Sequence, residues 1–379
     1  MKKEDYKRLN DYLNDAFIYL SKYDGFFIQN MQSIFVLNNM LYEKLKCIDL
    51  KHNFHKNNLP YEDVFELARN EIEKINPNYL KEFDKLIDSG RLEFFLKEKN
   101  ITIKESNDYK KLSEIENSEE DIRYDSVCSY TEDDYFIDIA RTHNYNDVLM
   151  LIHEFMHSRN LSKNMGEYRY ILTEFFSIYF EMLSQKNLLE NGINPSELDI
   201  FDRIKDTGKI SKKINKYYIV FMSYNLLGNI KEDSYEDLEK YNIVSSTKEE
   251  FESVCMYLLK YFDYQKIQYN NESKEFNLHD YRKCISILFS SGYRYLYGTL
   301  FSCYLLENGN KDKIVWLNDH INDEEIKNMN LIDVLKMIDI DLTDENINEK
   351  LVDSAQNYYE NLSKYSVKEE KEKSLTYNV

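Results

Sequence analysis

The stretch Asn146-Asp-Val-Leu-Met-Leu-Ile-His153-Glu154-Phe155-Met156-His157 sets an apolar helical run around the pattern His-Glu-x-x-His. Residues four apart on a helix lie on one face, one turn apart, so the imidazoles of His153 and His157 project together. That spacing lets both bind one metal ion, and Glu154, beside the first histidine, can reach water at that ion. The plainer reading is two helix histidines on a solvated or core face. A catalytic zinc needs three protein ligands and an open position, so the reading turns on a third donor. Glu174 follows within Tyr168-Arg-Tyr-Ile-Leu-Thr-Glu174-Phe-Phe-Ser-Ile-Tyr-Phe-Glu181. The interval leaves room for a turn at Asn164-Met-Gly166 and a second helix that returns Glu174 against the first. A carboxylate among Leu172, Phe175, Phe176 and Tyr179 is costly to bury unless a cation pairs with it. One Zn2+ ion held by His153, His157 and Glu174 answers that cost, although the same donors accept manganese or cobalt. Glu181, two turns on, is placed to hydrogen-bond a ligand histidine from behind; its alternative is a surface carboxylate.

Outward from this pair, the chain reads as helical. Apolar spacings of three and four predict helices over 4–24, 26–49, 61–75 and 77–89, then near 146–160, 167–190, 196–205, 211–227, 234–240, 247–266, 278–307 and 349–364. Pro60 and Pro77 mark helix starts. Gly90 reads as a stop, with Leu92, Phe94, Phe95 and Leu96 continuing as a short helix. Residues 100–123 read as a long polar loop. Val127-Cys-Ser-Tyr130 and Tyr135-Phe-Ile-Asp-Ile139, separated by Thr131-Glu-Asp-Asp134, predict one small β-hairpin, the sole β signal. No repeat or composition break divides the chain. The expectation is one domain over 1–365 and a disordered Lys/Glu-rich tail over 366–379.

Composition agrees with a helical body. Only 3 prolines and 9 glycines punctuate 379 residues, which disfavours a many-turned β fold. Apolar residues at 42% supply a core despite 31% charge. The net charge of −19, with no basic stripe, makes nucleic acid and anionic membrane poor partners. The five scattered cysteines contain no CxxC and read as thiols in a reducing compartment. Without an apolar leader or an 18-residue apolar run, the expectation is a soluble cytoplasmic protein, a monomer or weak oligomer.

Three stretches resemble the thimet oligopeptidase / oligoendopeptidase F family of zinc metallopeptidases. Asp134 through Phe155 is similar to the family's edge strand, connecting loop and active-site helix. Thr173-Glu174-Phe-Phe-Ser177 followed by Glu181 is similar to its Glu-x-Pro-Ser-Gln…Glu helix. Gly292-Tyr293-Arg-Tyr295-Leu-Tyr297-Gly-Thr299 is similar to its Tyr-rich segment. With weaker similarity back to Tyr61, the resemblance covers roughly 60–305. Met156, Phe176 and Ile178 depart from the family pattern. Ile287 and Leu288 stand where the family commonly has a histidine, and His279 is too far upstream to replace it. The chain is also shorter than typical members.

The resemblance implies a mainly α, two-lobed zincin-like peptidase with a small β-hairpin or edge sheet beside the active-site helix. It implies hydrolysis of internal bonds of oligopeptides, with Glu154 as general base at a zinc-activated water. Tyr297, then Tyr293, are the candidate oxyanion donors, and Tyr295 a substrate contact; ordinary helix packing is the alternative for all three. The strand Phe136, Ile137, Asp138 and Ile139 is expected to pair with an extended peptide. His143 lines the cleft or is a solvated loop histidine. Two other readings remain: a catalytically weak peptide-binding protein on the same fold, and a zinc carboxypeptidase of a related helical fold.

Overall fold

Helix α1 (Lys3–Tyr23) ends where the Asp24 carboxylate accepts the Phe27 N–H at 3.3 Å, capping α2 (Gly25–Leu45). In the same way Asn76 caps α4 (Pro77–Asp88) after α3 (Tyr61–Ile75), and Pro77 occupies the first turn, where no N–H is missed. The computed structural model describes residues 1–46, 48, 59–96, 127–130, 135–141, 144–160, 169–200, 202–240, 247–272 and 278–376. The expected loop over 100–123, the hairpin turn 131–134 and His143 lie outside the described residues.

Gly90, at φ +69°, turns the chain out of α4 in a conformation that suits glycine. The next residues are not the expected short helix. They form strand β1 (Leu92–Leu96), which pairs in parallel with β3 (Tyr135–Arg141), while β2 (Val127–Tyr130) pairs antiparallel with β3. The predicted hairpin is present, but it gains a third strand, in order β1-β3-β2. This pairing joins segments some forty residues apart, so local spacing carried no sign of it. It also corrects the expected peptide-binding strand. β3 is central, with both edges already paired, and Ile137 and Ile139 are fully buried. The Asp138 backbone is paired on both sides, and of this group Phe136 is exposed.

Helix α5 (Asn146–Asn160) carries the His-Glu-x-x-His pattern and packs on β3, β2 and α6 (Arg169–Glu190). Its start is fixed by the Asn144 side chain, which accepts the Asn146 N–H at 2.7 Å. Both α5 and α6 are buried nearly all round, and α5 takes Asn146, Asp147, His153, Glu154, Ser158 and Asn160 inside with it, so those polar groups must find partners there. α6 in turn packs against α10 (Leu278–Asn308), the longest helix among the described residues.

A single turn of 3₁₀ helix at Pro195–Glu197 precedes α7 (Asp202–Leu227). The two helices expected over 196–205 and 211–227 are thus one, running unbroken through Gly208. The remaining helices are α8 (Ser234–Lys240), α9 (Lys248–Glu272), α11 (Lys311–His320), α12 (Glu324–Lys327), α13 (Leu331–Lys336) and α14 (Ile347–Thr376). α14 stays helical to Thr376, ten residues past the expected start of the tail. Buried apolar side chains from Tyr6 to Leu362 form one continuous core. Among the described residues, no helix is long and apolar enough to cross a membrane.

Candidate metal centre

The two histidines of α5 meet as their spacing requires: the Nε2 atoms of His153 and His157 are 3.1 Å apart. Glu174, delivered by α6, places Oε2 3.6 Å from His157 Nε2. One donor atom from each of the three residues lies within 4.8 Å of the other two. Ligand atoms around four-coordinate zinc, with bonds of about 2.0–2.1 Å, stand about 3.3 Å apart, so the two measured separations suit one ion. Two further observations fit a cation. Glu174 Oε2 is buried and has no hydrogen-bond partner, a state that costs free energy unless a cation answers it. The His153–His157 contact also needs a hydrogen between two ring nitrogens, whereas a cation accepts the lone pairs of both.

Behind His153 stands the carboxylate expected there. His153 Nδ1 lies 2.8 Å from Glu181 Oε2. Arg203, in the first turn of α7, donates from Nε to Glu181 Oε1 at 3.1 Å and from a terminal nitrogen to Oε2. Burial pushes the Glu181 carboxyl up, but the Arg203 charge and the His153 hydrogen bond outweigh it, and the net shift is downward. Glu181 therefore stays ionised and can only accept. His153 donates from Nδ1; burial lowers it, but the Glu181 hydrogen bond and charge outweigh burial and the net shift is upward, so a metal at Nε2 would take the place of a proton there. Burial, then the neighbouring His153, hold His157 well below its usual value and so neutral.

Glu154 is 5% exposed. Burial pushes its carboxyl up to about 7; His153 opposes the shift, Glu174 adds to it, and the Cys128 N–H of β2 donates to the carboxylate. A carboxyl balanced near neutrality is suited to taking and returning a proton. Glu174 is likewise raised by burial, with a hydrogen bond from Tyr295 among the opposing influences.

The three tyrosines of α10 separate by face. Tyr295 reaches Glu174. The Tyr293 hydroxyl donates to both oxygens of buried Asp24, at 2.6 and 2.7 Å, so its proton is committed to a structural contact rather than to a developing oxyanion. Tyr297 packs edge-on to Phe26, with ring centroids 6.0 Å apart. It also lines a cavity of about 750 Å³ with Phe26, Gln29, Asn30 and residues of 327–348. Gly298 brings α10 against α6: a Cβ there would lie 2.8 Å from Ile178 Cδ1 and 3.4 Å from the Phe175 backbone nitrogen. Sequence reasoning missed Arg203 and the Cys128 N–H. The former carries no motif, and the latter is a backbone group whose place depends on sheet register.

No protein-family model and no curated protein matches the chain. The solved structure of a putative peptidase from Chlamydophila abortus is similar with a TM-score of 0.45 and 14% identity. The likeness covers 96% of this chain, which spans 56% of that one. A similarity this faint bears no weight for activity.

Proposed function

We propose that this chain is a zinc-dependent peptidase that hydrolyses internal bonds of oligopeptides. The observation that carries the reading is the convergence of His153, His157 and Glu174 on one point beside Glu154. Zinc held there would supply Lewis acidity and lower the pKa of water towards about 7. Glu154 takes the proton of the attacking water and returns it to the leaving amine. Glu181 holds His153 in the tautomer that binds metal.

The peptide adds to the outer edge of β2, where the Cys128 N–H already points at Glu154. Main-chain pairing of this kind fixes a substrate without reading its side chains. A cytoplasmic setting and a monomer or weak oligomer belong to the same proposal; among the described residues Cys128, Cys255 and Cys303 are in no disulfide.

Exhaustive dialysis against a chelator should abolish cleavage of an internally quenched peptide, and one equivalent of zinc should restore it. Cleavage that survives complete metal removal would overturn the reading. The commitment of the Tyr293 hydroxyl to Asp24 favours one second reading, a peptide-binding protein with weak turnover. It predicts zinc binding and peptide binding without cleavage.

A further inference from the structure

Glu181 receives three hydrogen-bond donors on two oxygens: Arg203 Nε on Oε1, and His153 Nδ1 with an Arg203 terminal nitrogen on Oε2. The Arg203 and Glu181 side chains are 13% and 7% exposed. Two parallel donations from one guanidinium set the plane of a carboxylate as well as its position. Arg203 is anchored in turn. Its own carbonyl accepts the Thr207 hydroxyl at 2.7 Å, and the Thr207 hydroxyl lies 3.5 Å from that of Thr299 on α10.

We infer that Arg203 is a positioning residue of the metal centre: its fork fixes the Glu181 carboxylate, which fixes the His153 ring, so zinc affinity depends on a side chain of α7 that stands behind the donor set. The chain of contacts runs Arg203, Glu181, His153, and each link has one geometry. Without Arg203, Oε1 of Glu181 loses its Nε donor and the carboxylate is free to rotate away from Nδ1. The His153 ring then loses the partner that orients Nε2 towards His157 and Glu174. Lysine would place a positive charge there but could not set the carboxylate plane. The inference rests on the metal site of the proposed function and not on peptide hydrolysis.

The test is equilibrium zinc affinity, by competition with a chromophoric chelator at fixed pH. The proteins are the wild type, Arg203→Lys, Arg203→Met, Glu181→Gln and the double variant Arg203→Met/Glu181→Gln, each checked for folding by circular dichroism. Loss of such an outer partner typically costs about 10- to 100-fold in metal affinity. Arg203→Met should fall in that range, with Arg203→Lys recovering only part. The double variant should bind zinc no more weakly than Glu181→Gln, because the fork then has no carboxylate to position and the guanidinium charge, which also acts directly on the three donors, opposes a cation.

Wild-type affinity in a folded Arg203→Met variant would overturn the inference. So would an equal further loss when Arg203→Met is added to Glu181→Gln. Should Arg203→Met fail to fold, the double variant, which buries no unpaired charge, gives the decision by the same comparison. A wild-type protein that binds zinc but cleaves no peptide would sink the peptidase reading alone; one that binds no zinc would sink both.

Discussion

Glu154 combines burial, a backbone donor and two nearby site residues. Its carboxyl is raised from 4.5 to about 7. In the unfolded chain it ionises near its ordinary value, so between about pH 4.5 and 7 the folded metal-free protein binds the extra proton. Stability must therefore fall as pH rises through that window, by roughly 3 kcal/mol at most from this group. Glu174, also raised, acts in the same direction. Glu154→Gln removes the Glu154 share. In chelator, the urea midpoint of the wild type should drop more steeply between pH 5 and 8 than that of Glu154→Gln. Parallel curves would show that the folded state does not raise this carboxyl.

At the scale of elements, the centre depends on how closely α10 approaches α6. Gly298 makes that approach, with the Phe175 backbone 3.4 Å from where its Cβ would stand. Gly298→Ala meets mainly the flexible end of Ile178. Gly298→Val adds two carbons more than alanine against a packed backbone, an overpacking that typically costs about 1–3 kcal/mol. Because Glu174 adjoins the contact, the valine variant should also bind zinc more weakly, as urea unfolding and chelator competition would show. Unchanged stability and affinity would mean the two helices are not held at this point.

The same scale shows what the sequence disclosed. His153, His157, Glu174 and Glu181 were legible because ligand spacing on a helix is a local, periodic property and a carboxylate amid Phe and Leu announces a partner. Strand β1 was not legible, since Leu92–Leu96 owes its form to pairing with residues 137–141. For the same reason nothing local marks β3 as a strand that β1 covers. Tyr293, Tyr295 and Tyr297 share one motif, but which of them meets Glu174 depends on the rotation of α10 against α6 and α2. Arg203 was invisible because a lone arginine has meaning only once Glu181 stands beside it.

Taken as a whole, the molecule is a helical body with a continuous core, a three-stranded sheet and two central helices that supply all three donor atoms. A site built on such rigid elements holds its geometry without a loop to order. The net charge of −19 places the site in an acidic protein, where Arg203 is a partly buried cation bound to the site's own carboxylate. The account stands on Glu154 acting at a metal it does not itself bind. The most direct measurement is therefore the hydrolysis rate of an internally quenched peptide by Glu154→Gln, with zinc content determined on the same sample. The account predicts one zinc per chain, as in the wild type, and a rate lower by about 10²- to 10⁴-fold. Full zinc with an undiminished rate would contradict it.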